Sequence, residues 1–452
     1  MEKLVIIGGS DAGISAALRA KELGSDIDVT IAVADLFPNF SICGLPFYLS
    51  GEIQDWKTLA HRTTEEIEEK GIRLLLGHKA DMIDPRQKQV RIIGNNGHTH
   101  FVGYDRLLIG TGAVSAIPPI KGLDVPGVFL LRRMEDSFEI QRFLIEKKVR
   151  SAVIIGGGYI GMEMADALTY RGVDVTVVEY AQTVLTTVDA SLGILVREEL
   201  EDNGVRVKTG TAVKEIDRKD DHLVVMGSTG LEIQTDMVLV AAGSRPSVEL
   251  ARAAGVKIGS YGAIEINREM KTNLPDVFAA GDCVETWHRF LEKYTYLPLG
   301  TTAHKQGRIA GENMAGGEAE FKGSLGTQVV KIFDLVAART GLRDKEALEA
   351  GYEPMTVEFE TWDHKAYYPG AKKMRILMSG DRTSHALLGV QILGNRKSEV
   401  SKRIDIVAAA LFHRMKVEEL NDLDLSYTPP LSSPWDPVQM AAQAWLCSSF
   451  QL

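Results

Sequence analysis

The sequence predicts an α/β protein with several cores, and three observations carry that expectation. Its 452 residues exceed what one hydrophobic core usually holds. Two stretches run strand, glycine turn, helix, strand: KLVIIGGSDAGISAALRAKEL followed by DVTIAVAD, and SAVIIGGGYIGMEMADALTYRG followed by DVTVVE. From Gly323 the pattern changes to short apolar or alternating runs, such as TVEFETW and KMRILMSG. Each of the first two stretches opens a βαβ unit on a parallel sheet. The third reads as antiparallel strands with an amphipathic helix, RIDIVAAALFHRM, and so as an α+β unit.

The first copy is the less regular. Gly8 and Gly13 stand at the first and last glycine positions of a G-x-G-x-x-G turn, but Ser10 takes the middle one and Asp11 follows it. The next strand ends on Asp35, the carboxylate placed to accept from a ribose hydroxyl. Alone, this copy is as compatible with a structural βαβ unit as with a nucleotide site. The second copy is complete. Gly156 permits the tight turn, Gly158 lets the backbone approach a pyrophosphate, and Gly161 allows close helix packing. Tyr159 and Ile160 lie between the last two glycines, where the helix begins. Glu179 closes the following strand at the ribose position. Tyr180, Ala181 and Gln182 bring no arginine for a 2′-phosphate, so the expectation is NADH, with NADPH less favoured.

Between the copies lies YDRLLIGTGAVSAIPPIKG, with Gly112. After the second comes DMVLVAAGSRPS, with Gly243. Both read as crossings between domains, where turn residues gather. TNLPDVFAAGDCVE then ends a strand in a Gly-Asp turn at Asp282, and the helical HKQGRIAGENMAGG follows.

The net charge of -10 offers no basic surface for a polyanion, so no nucleic acid partner is expected. No run of about 18 uncharged apolar residues occurs, so no membrane span is expected. The start lacks the basic, apolar and small-residue pattern of a secretory signal, which points to the cytoplasm. Cys43, Cys283 and Cys447 share no metal-ligand spacing, and no metal is expected. Cys43 sits in SICGLPFYLSG, where Gly44 and Pro46 mark a turn that could open a helix. A thiol at a helix N-terminus has a lowered pKa and is nucleophilic. The alternative is an inert buried cysteine.

The two dinucleotide motifs, the G-T-G at Gly110 to Gly112, the A-A-G-D at Ala279 to Asp282 and the C-G-L-P turn together resemble the pyridine nucleotide–disulfide oxidoreductases. The likeness covers nearly the whole chain. Within that family the chain is similar to the single-cysteine branch: coenzyme A-disulfide reductase, NADH-dependent persulfide reductase, NADH oxidase and NADH peroxidase. The resemblance implies two Rossmann-like domains, the second inserted in the first, and a C-terminal α+β dimerisation domain. It divides the chain into an FAD-binding domain (1–112 and 246–322), an NAD(H)-binding domain (113–245) and the dimerisation domain (323–452). FAD would lie on Gly8, Ser10, Asp11, Gly13, Asp35, Gly112 and Asp282. NADH would lie on Gly156, Gly158, Tyr159, Ile160, Gly161, Glu179 and Gly243.

By the same resemblance, Cys43 would take a small-molecule disulfide or persulfide and the flavin would restore it. A homodimer would form, and its C-terminal domain would complete the partner's site. Tyr367 in KAYYPG and Tyr427 in SYTPP match the settings of two tyrosines in coenzyme A-disulfide reductases. Ser41, Arg62 and Arg19 become substrate candidates, although an arginine such as Arg19 is as readily part of a solvated helix face. Two departures matter. Asp11 stands where the oxidases and peroxidases carry a histidine, which disfavours the alternative of an NADH oxidase or peroxidase working through a sulfenic acid. Ile42 stands where coenzyme A users carry asparagine, which leaves coenzyme A binding open. A flavin electron-transfer protein, whose thiol plays no part, is the remaining alternative.

Overall fold

A computed structural model describes residues 2–24 and 26–449. Its first sheet has five parallel strands, in the order Val277–Ala279, Arg106–Ile109, Lys3–Ile7, Asp28–Val33 and Ile72–Leu76. The second repeats the design with Arg206–Lys208, Asp174–Val178, Ser151–Ile155, Met237–Val240 and Val128–Leu130. Parallel strands are covered on both faces, and that is why KLVII, TIAV, AVII and VTVV read as unbroken apolar runs. The first sheet takes its edge strand from residues that follow the second, so the second unit is inserted in the first. The outgoing segment Ala113–Ser115 and the returning segment Ser244–Pro246 pair antiparallel, as two straps side by side.

The C-terminal unit is a five-stranded antiparallel sheet, ordered Gln328–Ile332, Leu335–Gly341, Leu387–Asn395, Lys373–Asp381 and Pro354–Trp362. Helices Val400–Phe412 and Pro437–Ser449 cover one face. Trp445 is fully buried there, and its indole N–H donates to the Met355 carbonyl at 2.7 Å, so its one polar atom is satisfied. Among the described residues no helix is long and apolar enough to cross a membrane.

Four helices position the site. α1 (Asp11–Leu23) follows the first glycine turn, and α2 (Leu45–Ser50) follows Cys43. α3 (Tyr159–Tyr170) follows the second glycine turn, and α4 (Gly300–Met314) follows the Gly-Asp turn. α4 lies against α1 at backbone distance. A Cβ on Gly307 would meet the Ala12 carbonyl oxygen at 2.2 Å, and one on Gly311 would meet that of Ala16 at 2.2 Å. Glycine at these two positions lets the helices touch and fixes which side chains face each other across them.

Candidate active site

The two glycine turns share one backbone solution. Gly8 and Gly156 both have positive φ, +109° and +111°. A Cβ on Gly13 would lie 1.9 Å from the Gly8 oxygen, and one on Gly161 would lie 2.0 Å from the Gly156 oxygen. A Cβ on Gly158 would meet nothing within 4 Å, so the start of α3 is open to a ligand that approaches the backbone. Glu179 is anchored beside it, and its carboxylate accepts from the backbone N–H groups of Gly157 and Ala181. Tyr159 and Ile160 open α3 and are partly buried. Gly243, at φ +99°, borders the returning strap. These features fit a pyridine dinucleotide.

The first turn fits a second, larger dinucleotide. Asp35 closes its strand, and Oδ1 accepts from the Phe37 N–H at 2.9 Å. Burial and the Glu135 charge raise its pKa. Gly112, at φ +66°, stands at the outgoing strap with nothing within 4 Å of a Cβ. Asn39 is 1% exposed, and neither its amide nitrogen nor its amide oxygen has a partner. Its backbone N–H donates to Gly9 inside the turn. An orphaned amide at this place is the mark of a polar ligand, and FAD fits it. Sequence reasoning missed Asn39, although it lies only four residues before Cys43. Asp282 pairs with Arg132 at 2.8 Å, and Arg132 also donates to the Ala113 carbonyl at 3.2 Å. Arg132 was missed too, because nothing local marks it.

Cys43 lies in a 3₁₀ turn, Ile42–Gly44, that leads into α2. A Cβ on Gly44 would come within 2.5 Å of the Leu59 side chain, and the Ser41 N–H donates to the Leu59 carbonyl, so this turn is clamped against the following loop. The residue is exposed at the surface, yet protein atoms packed around the thiol shift its proton affinity. Burial raises its pKa first, and the charges of Glu163 and Asp11 add to this. Arg132 opposes the rise and Asp282 supports it. The expected lowering at a helix N-terminus is therefore corrected. α2 has only six residues, and three carboxylates outweigh one guanidinium that is already paired.

That list of charges also places Cys43. Asp11 comes from the first turn, Asp282 from the Gly-Asp turn and Glu163 from the helix of the second turn. Glu163 was not singled out from sequence. Burial pushes its carboxyl up to about 7, with Lys331 opposing and Asp166 adding to the rise. An acid two positions beyond Gly161, on a helix otherwise largely buried, was the available signal. Lys331 belongs to the C-terminal sheet and pairs with Asp166 at 2.6 Å, so that unit reaches the second turn's helix directly.

The other predicted residues scatter. Arg19 donates to Glu312 through Nε and Nη2, at 3.0 and 2.7 Å, and to Glu22 at 3.0 Å. Its charge is therefore already met within the protein. Arg62 is exposed, just before the capped helix Thr64–Glu68. Tyr367 and Tyr427 are 74% and 44% exposed on the C-terminal unit, and their loops meet where the Lys365 N–H donates to the Pro429 carbonyl. Cys283 is buried with its thiol on the carbonyls of Ile109 and Ala280, whereas Cys447 is exposed. No group of three or more His, Cys, Asp or Glu side chains suited to a metal ion occurs among the described residues.

Residues 2–307 match the family described as pyridine nucleotide-disulphide oxidoreductase, and residues 327–437 match its dimerisation domain. The chain is 36% identical over 444 residues to the "NAD(P)H sulfur oxidoreductase (CoA-dependent)" of Pyrococcus furiosus, with 98% of each chain covered. It is 33% identical to an "NADH oxidase" of Methanocaldococcus jannaschii, again over 98% of each. The solved structure of an NAD-dependent persulfide reductase from A. fulgidus superposes with a TM-score of 0.95 at 36% identity, covering 99% of this chain and 84% of that one.

Proposed function

Because the chain belongs to the pyridine nucleotide-disulphide oxidoreductases, we propose that it is an NAD(P)H-dependent flavoenzyme that reduces a small disulfide or persulfide, of the coenzyme A type, at Cys43. One observation carries the reading. Cys43 lies in the turn that opens α2, in a segment that the Asn39 N–H ties to the Gly9 carbonyl of the first glycine turn. Bound FAD and NADH would supply the electron pair. Gly8, Ser10, Asp11, Gly13, Asp35, Gly112 and Asp282, with Asn39, are the residues we assign to FAD. Gly156, Gly158, Tyr159, Ile160, Gly161, Glu179 and Gly243 are those assigned to the nicotinamide dinucleotide. Glu179 presents its charge where a 2′-phosphate would sit, which supports NADH over NADPH.

The protein's own part is to hold the sulfur and manage protons. Cys43 attacks the substrate as thiolate, and its raised pKa keeps most of it protonated until substrate or cofactor changes its surroundings. Ser41 flanks it, and Arg62 stands two residues beyond Ala60, which bridges Phe40 in the segment before Cys43, so both are assigned to the substrate. In the homodimer that the matched dimerisation domain supports, Tyr367 of the partner subunit and Tyr427 of the partner subunit would orient the sulfur compound and give a proton to a released thiolate. Their exposure leaves them available for that contact. The cytoplasm, with its NADH and reduced thiols, suits this chemistry.

NADH consumption against coenzyme A disulfide, coenzyme A persulfide, polysulfide and peroxide tests the reading. Turnover with the sulfur compounds should vanish in Cys43→Ser and persist in Cys447→Ser. Unchanged turnover in Cys43→Ser would leave a flavin electron-transfer protein. One observation favours a second reading. An imidazole from α4, His304, faces Asp11, so the first turn does not lack a histidine. An NADH oxidase or peroxidase would consume oxygen or peroxide rapidly and ignore disulfides.

A further inference from the structure

Where the Asn39 N–H donates to the Gly9 carbonyl and the His61 N–H to that of Asn39, tying the segment that carries Cys43 to the first turn, the contact of α1 and α4 gathers four groups that the mechanism above does not use together. The His304 Nδ1 hydrogen-bonds the Ser15 hydroxyl at 2.9 Å, and Nε2 faces the Asp11 Oδ1 at 3.4 Å. The His61 ring stands edge-on to His304, with centroids 6.4 Å apart. Gly307 and Gly311 lock the two helices together, so His304 is held by its backbone as well as by both ring nitrogens. Farther along the same contact, Arg19 and Arg308 are engaged by Glu22 and Glu312. The groups facing Asp11 are thus His304, His61 and Asp282. Asp11 in turn is one of the charges acting on Cys43. The His304 side chain is 47% exposed and that of Asp11 26%, so the carboxyl–imidazole pair opens to solvent at the imidazole.

We propose that the Asp11–His304 pair donates the proton to the thiolate that leaves when Cys43 attacks its sulfur substrate. This rests on the reading of Cys43 given above. The Cys43 thiolate attacks one sulfur of R–S–S–R′. The Cys43–SR bond forms, the S–S bond breaks, and R′S⁻ departs with the electron pair. The proton held between Asp11 and His304 passes to R′S⁻ and gives R′SH. Cys43 is oxidised to the mixed disulfide, R′ is released as a reduced thiol, and the pair is refilled from water through the exposed edge of His304 and His61. Asp11 faces the ring and Ser15 fixes its rotation. Two thiolates are released in each full disulfide reduction. The partner's tyrosines are then needed only for the second.

The test compares two leaving groups on one reduced holoenzyme. 2-Hydroxyethyl disulfide releases a basic alkyl thiolate that needs a proton. 4,4′-Dithiodipyridine releases an aromatic thiolate that is stable without one. After reduction by NADH under argon and removal of excess nucleotide, the single-turnover rate with each is measured from pH 5.5 to 9. In His304→Asn the alkyl rate should fall at least about tenfold and lose its decline at alkaline pH, while the aryl rate stays within about twofold. The ratio of the two rates is internal to each variant, so partial misfolding does not mimic the effect. His304→Gln, which keeps a bond to Ser15, should behave like His304→Asn. Equal slowing of both probes, or none, overturns the proposal. If Cys43→Ser reacts with both probes as the native enzyme does, it is the underlying reading of Cys43 that has failed.

Discussion

Gly13 presses on the Gly8 carbonyl as tightly as Gly161 presses on that of Gly156, and the leading glycines share nearly the same positive φ. The two turns then differ in the next two side chains. The second offers Gly158 and Tyr159, the first Ser10 and Asp11. At Gly158 the backbone faces open space and nothing but a ligand is called for. At Asp11 a carboxylate faces an imidazole and acts on a thiol. The same fold thus leaves the backbone open in one copy and sets a carboxylate against an imidazole in the other. Similar glycine patterns need not have similar duties, and the difference lies in whatever packs against the turn from outside.

The largest expected effect would break that contrast outright. Cys43→Ser should lower NADH-driven sulfur reduction on the order of 10³-fold or more, with flavin content and NADH binding retained. If activity survives, the first turn is only a binding turn as well. The next effect concerns what the turns share. Gly13→Ala and Gly161→Ala each set a methyl against a carbonyl oxygen, and each should cost about 3 kcal/mol or more, read by thermal or denaturant unfolding. Gly158→Ala has room for its methyl. It should leave stability within about 0.5 kcal/mol and still raise the KM for NADH, because the methyl occupies the space a pyrophosphate needs. A fall in stability at Gly158 would show that the turn is not open.

Much of this was legible in the sequence. Period-free apolar strands and the glycine spacing set the two parallel sheets, and the change after Gly323 marked the antiparallel unit. Both signals are local, so one segment suffices to read them. The direction of the Cys43 pKa shift was not legible, because it depends on Glu163 and Asp11 reaching it from separate elements. His304 was not singled out in the sequence, and Asp11 stood where a histidine would be in the oxidases and peroxidases. The two meet only because Gly307 and Gly311 bring α4 onto α1. That G-x-x-x-G spacing was present in HKQGRIAG, and its physical consequence, helices in backbone contact, was the missed signal. Arg19, a substrate candidate with a solvated helix face as its alternative, is engaged by Glu22 and Glu312.

A smaller effect links the two copies. Glu163 belongs to the helix of the second turn but is the first charge raising the Cys43 pKa. Glu163→Gln should therefore lower the Cys43 pKa, seen as a shift of the iodoacetamide alkylation profile to lower pH. The same change has a stability signature with a definite sign. A carboxyl at about 7 in the fold, against an ordinary value near 4.5, binds its proton more tightly when folded. Its contribution is full below about pH 4.5 and is lost as pH rises through about 7. The variant should gain about 1–3 kcal/mol on the native protein between pH 5 and pH 8. A pH-independent difference between them would place Glu163 in contact with solvent.

The smallest effect sharpens what each turn's acidic end does. Asp35 and Glu179 close equivalent strands, but only Glu179 is gripped through both oxygens, by the N–H groups of Gly157 and Ala181. That grip holds the carboxylate at the rim of the second turn, where a 2′-phosphate would have to sit. Two charges a few ångströms apart in a solvent-exposed setting repel by about 1 kcal/mol. Glu179→Gln should therefore raise the NADPH-to-NADH ratio of kcat/KM by about five- to tenfold, mostly through the KM for NADPH. Part of the loss on the NADH side comes from the ribose bond that the amide makes less well. Asp35→Asn should leave the ratio unchanged, because FAD carries no competing phosphate there. A shift with Asp35→Asn and none with Glu179→Gln would mean that the two copies have been assigned to the wrong cofactors.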